Sequence, residues 1–512
     1  MTSVPRLSWA ITRALRPGYD YVDDVVYMTL PVQERVEKTV GKGKAATTVL
    51  KWEPAVGCVT SEPAQFAFNE ETVTALGYAF PASGALITKD RRWSEDSILA
   101  FLDKQTEPPD VFMLFQRLRE IYVKYIEFSD DRYYDLMALF VLNTYVFRLF
   151  KTSGYIHFNG TAASGKSQNL RILTALAFNA IWASNMSSPA LFRTMAGNPG
   201  TMCIDEAEDF SSERGQELRS ILNAGYTDGS TVGRTEAIGD GAFRVIWYDS
   251  YGPKVLASIN PLDDVLGSRS LIVTMMPAVR TIPEFDQHSK AWQPIRDQLY
   301  LFAMHHSAPL AEHIADWNTI RRFDEAPKLR SRQWEVSQSY IVLADYIDES
   351  GQLTKDIIDW FNDYYAESQR SQDSTDRMRL LLKTLPRLLR EKQPWEGHWY
   401  SIKDIHELMK ELLEEDQTEF YKTRTVSKNL TSLGFKRRRS LRNVGTQVWL
   451  EEQDIRTCIE RRRVEPFVED EAWLRGEVSY LSDVPAIIPT QGHLPSPEES
   501  DQLWSQLGDS LG

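Results

Sequence analysis

Residues Gly160-Thr161-Ala162-Ala163-Ser164-Gly165-Lys166-Ser167 fit the pattern G-x-x-x-x-G-K-[ST] and constrain the fold more than any other stretch of the chain. The β-prone run Tyr155-Ile156-His157-Phe158 precedes them, and the helix-forming segment Gln168 to Phe178 follows. A strand that ends in a glycine loop and re-enters as a helix gathers free backbone N–H groups around one point. The positive end of the helix dipole lies there too. Such a point suits polyphosphate. Lys166 would neutralise β- and γ-phosphate charge, and the Ser167 hydroxyl would ligate Mg2+. The spacing predicts an α/β fold that binds a nucleoside triphosphate.

Residues 154 to 280 continue to alternate strand and helix signals, the pattern of a parallel sheet with crossover helices. Thr201-Met202-Cys203-Ile204 is an apolar run ending in Asp205-Glu206. Carboxylates at the C-terminal end of a buried strand arrive at the crevice where the phosphate loop lies. Asp205 would hold the metal, and Glu206 would polarise the water that attacks the γ-phosphate. An acid pair of this kind favours hydrolysis over kinase chemistry. A second buried-strand pattern, Lys254 to Ile259, ends at Asn260. Asn260 stands where it reaches the attacking water, and also where an Asx-turn residue precedes Pro261. Arg269 comes just before the strand Leu271 to Thr274, at a subunit edge where it completes a neighbour's site or makes a surface ion pair. Thr231 to Asp249 reads as a β-hairpin around Gly239-Asp240-Gly241, with Arg234 and Arg244 on its arms. Those arginines contact a phosphate backbone or are solvated edge charges.

The net charge of −14 excludes a uniformly basic packaging protein. It conceals a block, residues 421 to 463, with a net of +8, and a tail, 465 to 512, with a net of −9. Cys58, Cys203 and Cys458 are too sparse for a metal knuckle or a disulfide framework. The most apolar stretch, Met137 to Phe150, falls short of a membrane span. Together with an N-terminus lacking a signal-like apolar run, this predicts a cytoplasmic chain without membrane partners. The expected organisation is a β-rich region of unknown role (1–106), a helical lead-in (107–150), an ATPase core (151–285) and a helical lid or linker (286–372). A C-terminal domain (373–464) and an unstructured acidic tail (465–512) follow.

The loop, the Met202 to Glu206 strand end, the hairpin, Asn260 and Arg269 come in an order that resembles hexameric AAA+ helicases. The likeness is to superfamily-3 and minichromosome-maintenance-like helicases of phages, plasmids and other mobile elements, over residues 110 to 345. It implies a P-loop AAA+ core in which residues 160–167 are Walker A and Met202 to Glu206 Walker B. It also implies a pre-sensor hairpin at 231–249, sensor 1 at Asn260 and an arginine finger at Arg269. A second sensor is implied at Arg330 or Arg332. The cofactors implied are ATP and Mg2+, the partner is DNA, single-stranded in the ring and duplex or single-stranded at the C-terminal domain, and the assembly is a homo-oligomeric ring, a hexamer. The activity implied is ATP-driven translocation on DNA; the alternative is an ATP-dependent DNA-binding switch without unwinding.

Residues 377 to 450 read helix, short strand, helix, helix and hairpin, the order of a winged helix domain. Thr423 to Leu433 would be its recognition helix, carrying Arg424 and Lys428. Lys436, Arg437, Arg438, Arg439 and Arg442 would lie on the wing. Clustered arginines suit phosphate contacts, and a solvated charge run or a peptide-docking module fits the same letters.

Overall fold

The computed structural model describes residues 13–40, 47–86, 92–184, 186–206, 213–237, 243–375, 377–392, 394, 397–412, 422–441, 445–462, 464 and 466–480. The chain divides into two compact units, residues 1–365 and 366–512.

In the first unit the apolar run that is too short to cross a membrane becomes a central helix. It spans Arg132–Val146, and every residue from Leu136 to Val146 is buried. A helix apolar on all sides is stable only inside a core. Beside it lies a five-stranded parallel sheet. Its strands are β5 (Tyr155–Gly160), β6 (Ile181–Ala183), β7 (Met202–Ile204), β10 (Lys254–Ser258) and β11 (Ser270–Met275), in the order β11-β5-β10-β7-β6. Helix α5 (Lys166–Leu176) follows the loop, and α6 (Ser188–Gly197) and α7 (Glu213–Ala224) flank β7 in sequence. Strands β8 (Thr231–Ala237) and β9 (Phe243–Asp249) pair antiparallel as a separate two-stranded ribbon.

Ahead of this core, β1 (Tyr19–Val22), β2 (Val25–Val40), β3 (Thr47–Thr60) and β4 (Ala64–Ala67) form an antiparallel sheet. The β2–β3 ladder runs out to Val40 and Thr47. Helices dominate after residue 290, including α11 (Arg332–Ile347).

The second unit has its own core, built from Leu381, Leu385, Ile405, Val426, Leu430, Val448 and their neighbours. Its elements are α13 (Arg377–Glu391), β12 (Trp399–Ser401), α14 (Ile402–Lys410), α15 (Thr423–Ser432), β13 (Arg438–Leu441), β14 (Gly445–Trp449) and α16 (Glu452–Arg462). The three strands pair antiparallel in the order β12-β14-β13. Residues 466–480 correct the expectation of an unstructured tail from 465 onward. Trp473 is fully buried in this core, Tyr480 stacks on it, and Arg390 donates to Asp470 at 2.6 Å. Acidic composition hides this, because one large ring and one ion pair suffice to dock a short segment. Residues 481–512 of the expected tail lie outside the described residues.

Candidate nucleotide site and nucleic-acid surfaces

The loop adopts the geometry its glycines permit. Gly165 holds φ +92° at the start of α5, and Ala163 holds φ +60°. A Cβ on Gly160 would stand 2.3 Å from the Met275 carbonyl oxygen, so only glycine fits between β5 and β11. Ser164 is buried under the turn, while Thr161, Ala162, Ala163 and Ser167 are exposed. Lys166 Nζ donates to the carbonyls of Gly160 (2.5 Å) and Thr161 (2.8 Å), which holds the ammonium over the loop. At the other end of α5, Arg92 donates to the Thr174, Ala175 and Ala180 carbonyls. A cation there complements the helix dipole and fixes the helix that carries the loop.

One strand, β10, lies between the loop strand β5 and the acidic strand β7. All three are parallel, so Gly160, Asn260 and Asp205-Glu206 emerge at the same edge of the sheet. Asp205 is half-buried and its N–H is bound by Ala183 O. Glu206 is exposed, with a left-handed backbone (φ +55°), and its N–H donates to Asp205 Oδ1 at 3.1 Å. Asn260 is exposed, and its segment is held from beneath. Ser258 Oγ donates to Asn260 O (2.6 Å), and Asn159 Nδ2 donates to Ile259 O (2.9 Å). Because the Ser258 hydrogen is used there, His157 Nε2 is the donor in its 2.6 Å bond to Ser258 Oγ. Burial, with Lys166 nearby, lowers the His157 pKa to about 4, so the ring is neutral. This His157–Ser258 prop is absent from the sequence reading; its only local sign is a histidine inside a β-prone run.

Arg269 precedes β11 at the other edge. Ser270 pairs with Tyr155 and Met275 with Gly160, so Arg269 stands about 20 Å of strand away from its own phosphate loop. Its guanidinium lies 5.6 Å from the Tyr226 ring centre and donates to Val265 O. Arg332 meets the same ring from the other side of the sequence, at 4.8 Å, and pairs with Glu335. Tyr226 O accepts from Ser153 N, just ahead of β5. Arg332 is thus engaged near the entry of β5, and Arg330 two residues before it is exposed. The start of α11 packs on the entry of β5, with Thr152 donating to Glu335 O, and that puts Arg332 beside Arg269.

The hairpin has two unlike faces. On one, Val232, Ile246 and Tyr248 are buried, and Arg234 donates to Glu217 at 2.8 Å while lying 4.9 Å from the Phe192 ring. Arg234 thus holds the hairpin against α6 and α7. Arg244 is exposed, across from Glu236. The other face exposes Phe243, Val245 and Trp247 by 68%, 54% and 64%. The period-2 spacing of Phe243, Val245 and Trp247 is the signal for this stripe, and reading the segment for charge overlooks it. At the root, buried Arg148 pairs with Asp249 (3.1 Å), and Arg16 pairs with Asp228 (2.8 Å). Lys254, fully buried, donates to the carbonyls of Gly225, Ser250 and Gly252. The tip, residues 238–242, lies outside the described residues.

In the second unit, Val426 and Leu430 face the core and leave Arg424 and Lys428 on the exposed side of α15. Lys436 and Arg437 are exposed. Arg438 points the other way from Arg437 and Arg439, as strand alternation requires, and donates to Ser427 O and Thr431 Oγ1 of α15. It ties the wing to the helix. Arg442 lies outside the described residues.

Among the described residues, no helix is long and apolar enough to cross a membrane, and no group of three or more His, Cys, Asp or Glu could hold a metal ion. No protein-family model matches the chain, and no curated protein does. Solved structures similar to it include a full-length MCM homolog from Methanopyrus kandleri, at 13% identity and a TM-score of 0.32. That match covers 66% of this chain and 77% of the other. The apo NrS-1 C-terminal region (305–718) is similar at 10% identity and a TM-score of 0.31, covering 77% of this chain and 93% of that one. Likeness of this degree carries no chemistry across.

Proposed function

We propose that the chain is an ATP-hydrolysing, AAA+-type motor that moves along DNA, with each ATP site completed by a neighbouring copy. The observation that carries this reading is the polarity of the sheet. The phosphate loop, Asp205, Glu206 and Asn260 emerge at one edge, and Arg269 stands at the opposite edge. The loop N–H groups and Lys166 bind the phosphates, and Glu206 accepts a proton from the attacking water. Asn260, propped by Ser258, orients that water. Ser167 and Asp205 supply hard oxygen donors, which fits Mg2+ held partly by the nucleotide. The ion, when bound, neutralises charge developing on the phosphates. Arg269, with Arg332 beside it, reaches the γ-phosphate of the adjacent chain. Hairpins presenting the Phe243–Trp247 face and Arg244 follow the DNA as sites turn over.

The test is ATPase and strand-displacement activity of the full chain, with and without DNA. Lys166→Ala is expected to abolish both activities. Unwinding that survives the substitution overturns the mechanism. Hydrolysis that DNA fails to stimulate leaves the switch reading in its place.

A further inference from the structure

The three-stranded sheet of the second unit carries a surface that charge alone does not reveal. Tyr400 and Val448 point into the core, so Trp399, Ser401, Gln447 and Trp449, with Arg437 and Arg439, share the opposite face. The two indoles stand 5.3 Å apart at 80°, and both are half-buried. A guanidinium covers each: Arg437 lies 4.1 Å from the Trp449 ring centre, and Arg439 lies 4.6 Å from that of Trp399. Trp449 Nε1 donates to Glu451, and Arg439 Nε donates to Gln447 at 2.6 Å, so one ring and one guanidinium are held in fixed orientations.

Ser401 joins this face to a cavity of about 480 Å3 between the N-termini of α14 and α15 and the start of β14. Ser401, Lys403, Thr423, Arg424, Ser427 and Thr446 line it. The described lining residues supply four hydroxyls and two cations, of which Lys403 also lies 3.7 Å from Glu407 outside the lining. That donor set fits one phosphate diester.

We infer that the outer face of this sheet is a track for single-stranded DNA, with unpaired bases stacking on the guanidinium-covered pair Trp399–Trp449 and a backbone phosphate seated in the adjoining cavity. Flat cation and indole surfaces recognise π-faces, which a duplex hides inside its stack and a single strand presents. Lys and Arg without planar partners would bind either form through phosphate alone. The inference rests on the motor reading only for its context and extends it by naming the form of DNA taken.

The experiment is fluorescence anisotropy of the full chain with labelled oligo-dT and a labelled blunt duplex, without nucleotide. Oligo-dT is expected to bind more tightly than the duplex. The joint change Arg437→Gln and Arg439→Gln should weaken oligo-dT binding about tenfold. Trp399→Leu with Trp449→Leu should do the same, whereas Trp399→Phe with Trp449→Phe keeps most of the affinity. Thermal midpoints identify any variant that has lost its fold, and the arginine pair then decides. Duplex preference, equal losses on both DNAs, or indifference to the arginine pair overturns the track. Oligo-dT binding through this face by a chain that hydrolyses no ATP overturns the motor and keeps the track. DNA-stimulated hydrolysis with unaltered oligo-dT affinity in every variant does the reverse.

Discussion

His157 is buried with its Nδ1 lacking any hydrogen-bond partner in the structure, while Nε2 supports the Asn260 segment through Ser258. Protonation would place a charge and an N–H where no acceptor waits. The folded pKa, about 4, is below the ordinary value of 6.5. Stability is therefore fully present above pH 6.5 and lost as pH falls through that window toward 4. Over it, the wild-type chain should lose about 3 kcal/mol relative to His157→Gln, measured by denaturant unfolding at each pH. A difference independent of pH would refute the buried neutral state of this ring. Residues of this kind are not legible in sequence, because burial is set by strands far away in the chain. The phosphate loop is legible, since its chemistry is local: glycine geometry, one lysine, one hydroxyl. Arginines fall between. Arg234 and Arg438 read like Arg244 and Arg437, and only Glu217 or Ser427, remote in sequence, separates the tied from the exposed.

The hairpin shows the same division at the level of an element. Its strands are legible from alternation and a glycine turn, but which face is covered depends on α6 and α7. Arg234→Ala should lower stability by about 1 kcal/mol through loss of the Glu217 and Phe192 contacts. It should leave the salt dependence of DNA binding unchanged, because no phosphate contact is lost. Trp247→Ala should behave in the opposite way. An exposed ring costs at most about 0.5 kcal/mol of stability when removed, while DNA-stimulated hydrolysis should fall severalfold. Thermal unfolding and ATPase titrations with oligo-dT separate the two; a large stability loss in Trp247→Ala would show that the stripe is packed. The second unit repeats the pattern: its element order follows from periodicity, whereas docking of residues 466–480 depends on Trp473 finding a gap between helices.

Across the whole molecule, the loop and Arg269 occupy opposite edges of one sheet, so under the proposed shared site neither Lys166→Ala nor Arg269→Ala chains complete a site with their own kind. Mixed, they can. An equal mixture of the two inactive chains should recover up to about a quarter of wild-type ATP turnover under random assembly. Recovery of none would remove Arg269 from the neighbour's site. The β-rich N-terminal region contributes Arg16 and Arg92, which brace the hairpin root and α5; no motif marks them, since bracing needs only reach and charge. The opposed ends of the sheet carry one more implication. Under the proposed shared site, a subunit with unlike poles cannot form a two-fold pair through them, so association through these poles proceeds head to tail, with odd and even memberships equally admissible. Each added copy leaves one pole open until the circuit closes, and the tilt between successive copies decides between a ring and a helical filament. A chain with one pole disabled then acts as a terminator of growth, shortening assemblies in proportion to its share.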